Sequence, residues 1–289
     1  MQMHGLKHLG LCLSYISNML KLECPRFVLG KKLTHEQLNY FDKNGVIIFK
    51  NFITKETVEL FLKEINALQQ TWIAEGREKV NGTPLKFGKD ENEQTIIQRM
   101  CFTSLHNPVL HEFLKDPRLP ALLELVAPYE GRMGESEKDG LVINQYVRTP
   151  NSGFSQMGWH TDSPRDLFLG QRIMPMLNVG IHLDDCPSEN GGLRVLAGTH
   201  KQNILKLLFA KKYFVDNNPD PQETGFDIEA GDLTVHDGRL WHRVQQSPFV
   251  GAKSRRRVMY IPIITGKTIL KHDKSKTPFY HHFIGKVKF

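Results

Sequence analysis

Cysteine is scarce. The four residues, at positions 12, 24, 101 and 186, form no C-x-x-C pair, which excludes a disulfide framework and a cysteine zinc site. Such usage fits a reducing compartment, and a cytoplasmic location is expected. Long apolar runs are lacking too. Residues 6–20 come nearest, but Lys7 and His8 interrupt them and no A-x-A cleavage pattern follows, so neither a membrane span nor a secretory signal is expected. The closing Lys-Val-Lys-Phe is not a peroxisomal or retention address. No repeat, low-complexity tract, helix-turn-helix, finger or RNA-binding signature accompanies the scattered lysines and arginines behind the formal charge of +7. The expected partner is a small molecule, acidic ones included, with no nucleic acid and no membrane.

What is present is a length of 289 residues at 40% hydrophobic content, enough for one sizeable core. Residues 1–32 read as an N-terminal extension and 33–289 as a single domain. Its first part, 33–140, is helical. Thr34 caps a helix carrying Leu38 and Phe41 and stopped by Gly45, a strand follows at 46–49, and Thr54 caps a second helix with Val58, Phe61, Leu62, Ile65 and Leu68 on one face. Residues 76–95, polar and carrying Gly82, Pro84 and Gly88, read as a loop, and 108–125 as a helical stretch broken by Pro117 and Pro120. From 141 to about 265 the pattern turns to short strands, at 141–147, 176–183, 193–196, 233–236 and 258–264, separated by turn clusters. That spacing predicts a jelly-roll core, mainly β with α, followed by a tail over 266–289. Within 200–231, residues 205–213 read as a helix on an excursion that is either a lid or a surface insert.

The chemistry lies in three places. His160 and Asp162 stand two apart, so an extended backbone sends both side chains to one side, where they can bind one metal ion. His242 stands 80 residues after Asp162, in a Gly231-Asp232-Leu233 to His242 block. Two histidines and a carboxylate make a facial triad that leaves three adjacent positions on Fe(II), room for a bidentate 2-oxo acid and O₂. His236 lies in the same block and competes with His242. Third, Arg255-Arg256-Arg257 offers a guanidinium for the distal carboxylate of 2-oxoglutarate.

On these residues, with the run from Glu189 to His200 between them, the chain resembles the phytanoyl-CoA dioxygenase family of Fe(II)/2-oxoglutarate oxygenases over roughly residues 33–265. The resemblance implies a double-stranded β-helix with N-terminal helices packed on one sheet. It implies Fe(II) held by His160, Asp162 and His242, with 2-oxoglutarate and O₂ as co-substrates converted to succinate and CO₂ while a small organic substrate is oxidised. It matches the co-substrate arginine to Arg255, with Arg257 in reserve, and Gln145 to an amide touching 2-oxoglutarate. Asn178, His182 and Arg165 become candidates for substrate contact. Beyond the metal ligands no catalytic residue is expected. Two departures stand out: Val244 replaces a serine that often binds the co-substrate, and Gly180 replaces a common tryptophan, which suggests a pocket enlarged on one side. The rivals are a halogenase, opposed by Asp162, a cupin-like metalloenzyme without 2-oxoglutarate, and a silent binding protein on the same fold.

Overall fold

The computed structural model describes residues 24–168, 170 and 172–278, the side chains of Arg165 and Phe168 apart. Five helices and fifteen strands are found among them. The helices are α1 (His35–Asn44), α2 (Lys55–Ala74), α3 (Pro108–Phe113), α4 (Pro164–Phe168) and α5 (Ile204–Phe209). Strands β1 (Arg26–Phe27), β2 (Val46–Phe49), β3 (Lys79–Val80), β4 (Thr83–Pro84), β5 (Lys86–Lys89), β6 (Thr95–Met100) and β7 (Arg132–Met133) belong to the first half. The second half holds β8 (Val142–Tyr146), β9 (Met157–His160), β10 (Met176–His182), β11 (Gly192–Val195), β12 (Thr224–Gly225), β13 (Leu233–Asp237), β14 (His242–Gln245) and β15 (Arg256–Ile264).

Local chemistry sets the first elements. The Thr34 hydroxyl accepts from Gln37 N while the Gln37 side chain accepts from Thr34 N, a reciprocal cap that starts α1. Gly45, at φ 73°, ends it and donates to Phe41 O. Thr54 caps α2 in the same manner through Thr57 N.

Two sheets face each other. The larger runs β1-β2-β13-β10-β15-β8-β6-β5, with β7 also on β15, and the smaller runs β12-β11-β14-β9. No strand pairing joins them among the described residues, so the fold is a mainly β jelly roll of two packed sheets with helices on one of them. Period-two alternation assigns the faces. Leu177, Val179 and Ile181 of β10 and Met259, Ile261 and Ile263 of β15 point outward and pack with Val58, Phe61, Ile65 and Trp72 of α2. The inner face carries Val46 and Ile48, which meet Leu193, Val195, Phe226 and Leu240 from the smaller sheet.

Several elements differ from the sequence reading. The sheet begins inside the presumed extension, where β1 pairs with β2 in parallel and Arg26 reaches the fully buried Asp232 at 2.7 Å. Residues 76–95 are not a loop. Three short strands lie there and β6 begins at its end, and β5 and β6 extend the large sheet, because an edge strand needs a partner more than an apolar pattern. The stretch 108–125 splits into α3 and a 3₁₀ segment over Leu119–Val126, since Pro117 and Pro120 prevent a continuous α-helix. The helix expected over 205–213 is α5, ending at Phe209.

Candidate metal centre and adjoining cleft

The smaller sheet brings two imidazoles together. In the pairing of β9 with β14, His160 stands directly opposite His242, and their ring centroids are 4.1 Å apart. Each ring is oriented by a carbonyl two residues before it: His160 Nδ1 donates to Gly158 O at 2.8 Å, and His242 Nδ1 to Leu240 O at 2.9 Å. Both Nε2 atoms are thereby left as lone-pair donors, the tautomer that metal ligation requires. Burial, reinforced by repulsion from His242, lowers the His160 pKa to about 3, so the ring is neutral at ordinary pH. Asp162 follows just beyond β9, where its backbone N donates to Gly238 O. The ligand atoms of His160, Asp162 and His242 lie within 4.8 Å of one another, and no other such group is found among the described residues. Two imidazoles and one carboxylate suit a ferrous ion with open positions.

His236 approaches from the opposite sheet. Its ring centroid is 4.5 Å from that of His242, but its Nε2 is 3.3 Å from Asn178 Nδ2. Burial holds its pKa well below the ordinary value. Asn178, expected to touch substrate, instead donates to Asp162 Oδ2 at 2.6 Å.

A cleft adjoins the centre between the sheets, lined by Tyr146, His182, Val244, Arg256, Val258 and Tyr260 among others. The Asp162 charge is felt by both Tyr146 and Tyr260, which ties the cleft to the metal ligands. Two arginines line it, and Arg256, 4% exposed, is the buried one, whereas Arg257 is paired with Asp184. Its Nη1 donates to Gln245 O and its Nη2 to Ser155 O, while Nε has no acceptor among the described residues. Burial lowers the Arg256 pKa, opposed by neighbouring Cys186 and Tyr146. Room for the guanidinium depends on the Glu-Asn-Gly-Gly turn. At φ 83° a Cβ on Gly191 would stand 2.6 Å from Gln245 O and 3.0 Å from Arg256 Nη1.

The three candidate co-substrate residues are engaged by other partners. Arg255 precedes β15 and pairs with Glu91 at 2.5 Å on the outside of the cleft. Arg257 stands opposite Gln145 and borders the cleft, where it forks onto Asp184. Gln145 faces outward, its Nε2 donating to Gln69 Oε1 of α2 at 2.8 Å and to Ile97 O at 3.1 Å. It fastens helix to sheet. Gln145→Leu is expected to cost about 1–3 kcal/mol by removing both bonds, with Gln69 Oε1 keeping only its bond from Ile97 N, read as a lower urea midpoint, with 2-oxoglutarate affinity unchanged. A loss of that affinity at unchanged stability would return Gln145 to the co-substrate site.

His182 does line the cleft, with Nε2 3.0 Å from Thr234 Oγ1, and burial takes its pKa to about 4. The enlargement expected from Gly180 is filled, because a Cβ there would meet Tyr260 at 2.9 Å and Thr234 at 3.0 Å. Arg165 is the second residue of α4, and its side chain lies outside the described residues.

The sequence reading missed Phe214, whose ring stacks on His160 at 4.7 Å. Backbone bonds from Phe214 N to Trp159 O and from Trp159 N to Asp216 O stitch its segment along β9. Hence the insert is fixed to the metal strand at this point. Its one sequence signal was Gly158, where a Cβ would stand 2.6 Å from Phe214 O.

The chain matches the family profile of phytanoyl-CoA dioxygenase (PhyH) over residues 41–255. No curated protein sequence matches it. Among solved structures, HygX from Streptomyces hygroscopicus with nickel and 2-oxoglutarate bound is similar at a TM-score of 0.57 and 19% identity, covering 83% of this chain and 97% of that one. A further similar structure is the non-heme alpha ketoglutarate dependent carbocyclase SnoK from nogalamycin biosynthesis. It aligns at a TM-score of 0.61 and 14% identity, covering 91% of this chain and 94% of that one. The epimerase SnoN of nogalamycin biosynthesis aligns at 0.58 and 14% identity, over 83% and 85%.

Proposed function

Because the chain belongs to the phytanoyl-CoA dioxygenase family, we propose that it holds Fe(II) with His160, Asp162 and His242 and anchors 2-oxoglutarate on Arg256 to oxidise a small organic substrate. The enzyme class, an Fe(II)/2-oxoglutarate-dependent oxygenase, follows from the family. One observation carries the residue assignment: the buried Arg256 guanidinium lies in a cleft whose Tyr146 and Tyr260 feel the charge of Asp162, one of the three clustered ligands. When bound, the ferrous ion supplies the electron chemistry that couples O₂ to the oxidative decarboxylation of 2-oxoglutarate and the oxidation of substrate.

The chain's own groups do the positioning. His160 and His242 present fixed Nε2 lone pairs, and Asp162 brings the negative charge. Arg256 offers a cation in a site shielded from water, where a carboxylate bonds strongly. Val244, at the position of the expected serine, contributes only apolar wall. His182, with Thr234 behind it, is the polar group nearest to replacing that second contact. Along the inner face Arg256 marks one end, Asn178 and His236 stand at the metal, and Met176 opposite Ile264 marks the other end. Substrate approaches from this last end, beside the stretch that follows Asp162.

The similar structures include a carbocyclase and an epimerase, so the proposed oxidation of a substrate C–H bond is not confined to hydroxylation. Anaerobic addition of 2-oxoglutarate to the Fe(II)-loaded protein should give a visible charge-transfer absorbance, and turnover should release succinate. Absence of that band at saturating 2-oxoglutarate would overturn the class.

A further inference from the structure

Asp162 differs from the other two ligands in how it is held. His160 and His242 sit on paired strands, each with its ring nitrogen tied to a carbonyl. Asp162 lies past the end of β9 with its side chain 28% exposed, and its backbone bond to Gly238 fixes the chain but not the carboxylate. One donor that orients the carboxylate comes from the other sheet, where Asn178 of β10 places its Nδ2 2.6 Å from Asp162 Oδ2.

Asn178 is itself fixed. Its second amide proton points to His236 Nε2 at 3.3 Å, and Asn178 and His236 are direct partners in the pairing of β10 with β13. His236 is 1% exposed, and because an amide nitrogen only donates, its Nε2 is the acceptor of this contact. The amide therefore spans two acceptors, and a flipped amide would turn its carbonyl toward a carboxylate. One orientation is electrostatically allowed.

We infer that Asn178, braced by His236, is the positioning residue for the metal carboxylate: it occupies a lone pair of Asp162 Oδ2 and fixes the carboxylate's rotation, which favours ligation through one oxygen. That geometry keeps open the position that a chelating carboxylate would consume. The same pair explains why a third buried histidine adjoins the site without being a ligand. The inference rests on the metal-site reading of His160, Asp162 and His242, but not on 2-oxoglutarate.

The test uses the full chain and Co(II) alone, so it stays separate from the charge-transfer experiment on the class. Asn178→Ala should bind one Co(II) with an affinity about 10- to 100-fold weaker, the usual effect of losing a group that orients a ligand. Its visible d–d spectrum should shift as the carboxylate changes its mode of binding. Asn178→Asp, of equal size, should lose more, because it sets an acceptor against Asp162. Asn178→Leu, also of similar volume, should reproduce the alanine result and decides the matter if the alanine variant is unstable. His236→Ala should keep one Co(II) per chain with a loss of less than about tenfold. Wild-type affinity together with an unshifted spectrum in Asn178→Ala, or in Asn178→Leu where that variant decides, would overturn the inference. A weaker affinity with an unshifted spectrum would also overturn it, since packing alone would then be responsible.

Discussion

Arg256→Ala should weaken 2-oxoglutarate binding by roughly 30- to 1000-fold, corresponding to about 2–4 kcal/mol for a buried charge-assisted contact, while Fe(II) still binds. The guanidinium is the buried cation of the inter-sheet cleft, held by Gln245 O and Ser155 O and seated against the Gly191-Gly192 turn. Selectivity should go with affinity: the variant should no longer prefer 2-oxoglutarate over a 2-oxo acid lacking the second carboxylate. The flanking arginines are the controls. Arg255→Ala breaks an outer pair with Glu91 and should leave affinity within about twofold. Arg257→Ala removes the fork on Asp184 and should appear as reduced stability instead. Anaerobic titration of the charge-transfer band separates the three. Unchanged affinity in Arg256→Ala with a large loss in Arg255→Ala would restore the anchor to Arg255.

The second large effect belongs to the metal. His160→Ala, Asp162→Ala and His242→Ala each remove one of three protein ligands, and each should lower affinity by on the order of 1000-fold, about 4 kcal/mol. Folding should persist, since β9 and β14 retain their pairing and the 213–218 segment still clasps β9. Metal content after gel filtration at limiting free Fe(II) gives the readout. Retention of stoichiometric metal by His242→Ala, together with its loss from His236→Ala, would transfer the third-ligand role to His236.

The metal ligands were legible because their chemistry depends on residue type and coarse spacing. His160, Asp162 and His242 remain a candidate triad wherever the strands begin. The co-substrate side was not, because it depends on strand phase. Arg255 and Gln145 each miss the inner face by a single residue, and Arg256 stands opposite Tyr146 while Arg257 stands opposite Gln145. A shift of one position exchanges every inward side chain for an outward one. Where the strand phase falls is set by the 3₁₀ turn over Gly251–Ser254, whose internal bonds do not follow from composition. Apolar patterning revealed β10, β13 and β15, all buried in the middle of the sheet. It failed for β5, where Lys86-Phe87-Gly88-Lys89 is a strand only by virtue of pairing with β6. Asn178 shows the remaining gap: it was expected near the site as a substrate contact, but its partner Asp162 lies past the end of β9, a strand of the facing sheet.

The opposition of His160 and His242 across β9 and β14 also bears on how the molecule comes apart. β9 is an edge strand, and one ion gripped by both rings acts as a reversible crosslink between parts of the chain far separated in sequence. By mass action, an ion that binds only the folded chain adds about 2.7 kcal/mol at a hundredfold excess over its dissociation constant. Resistance to heat and to proteolysis at that edge therefore tracks iron supply, and an iron-starved population is held less tightly where the centre is built.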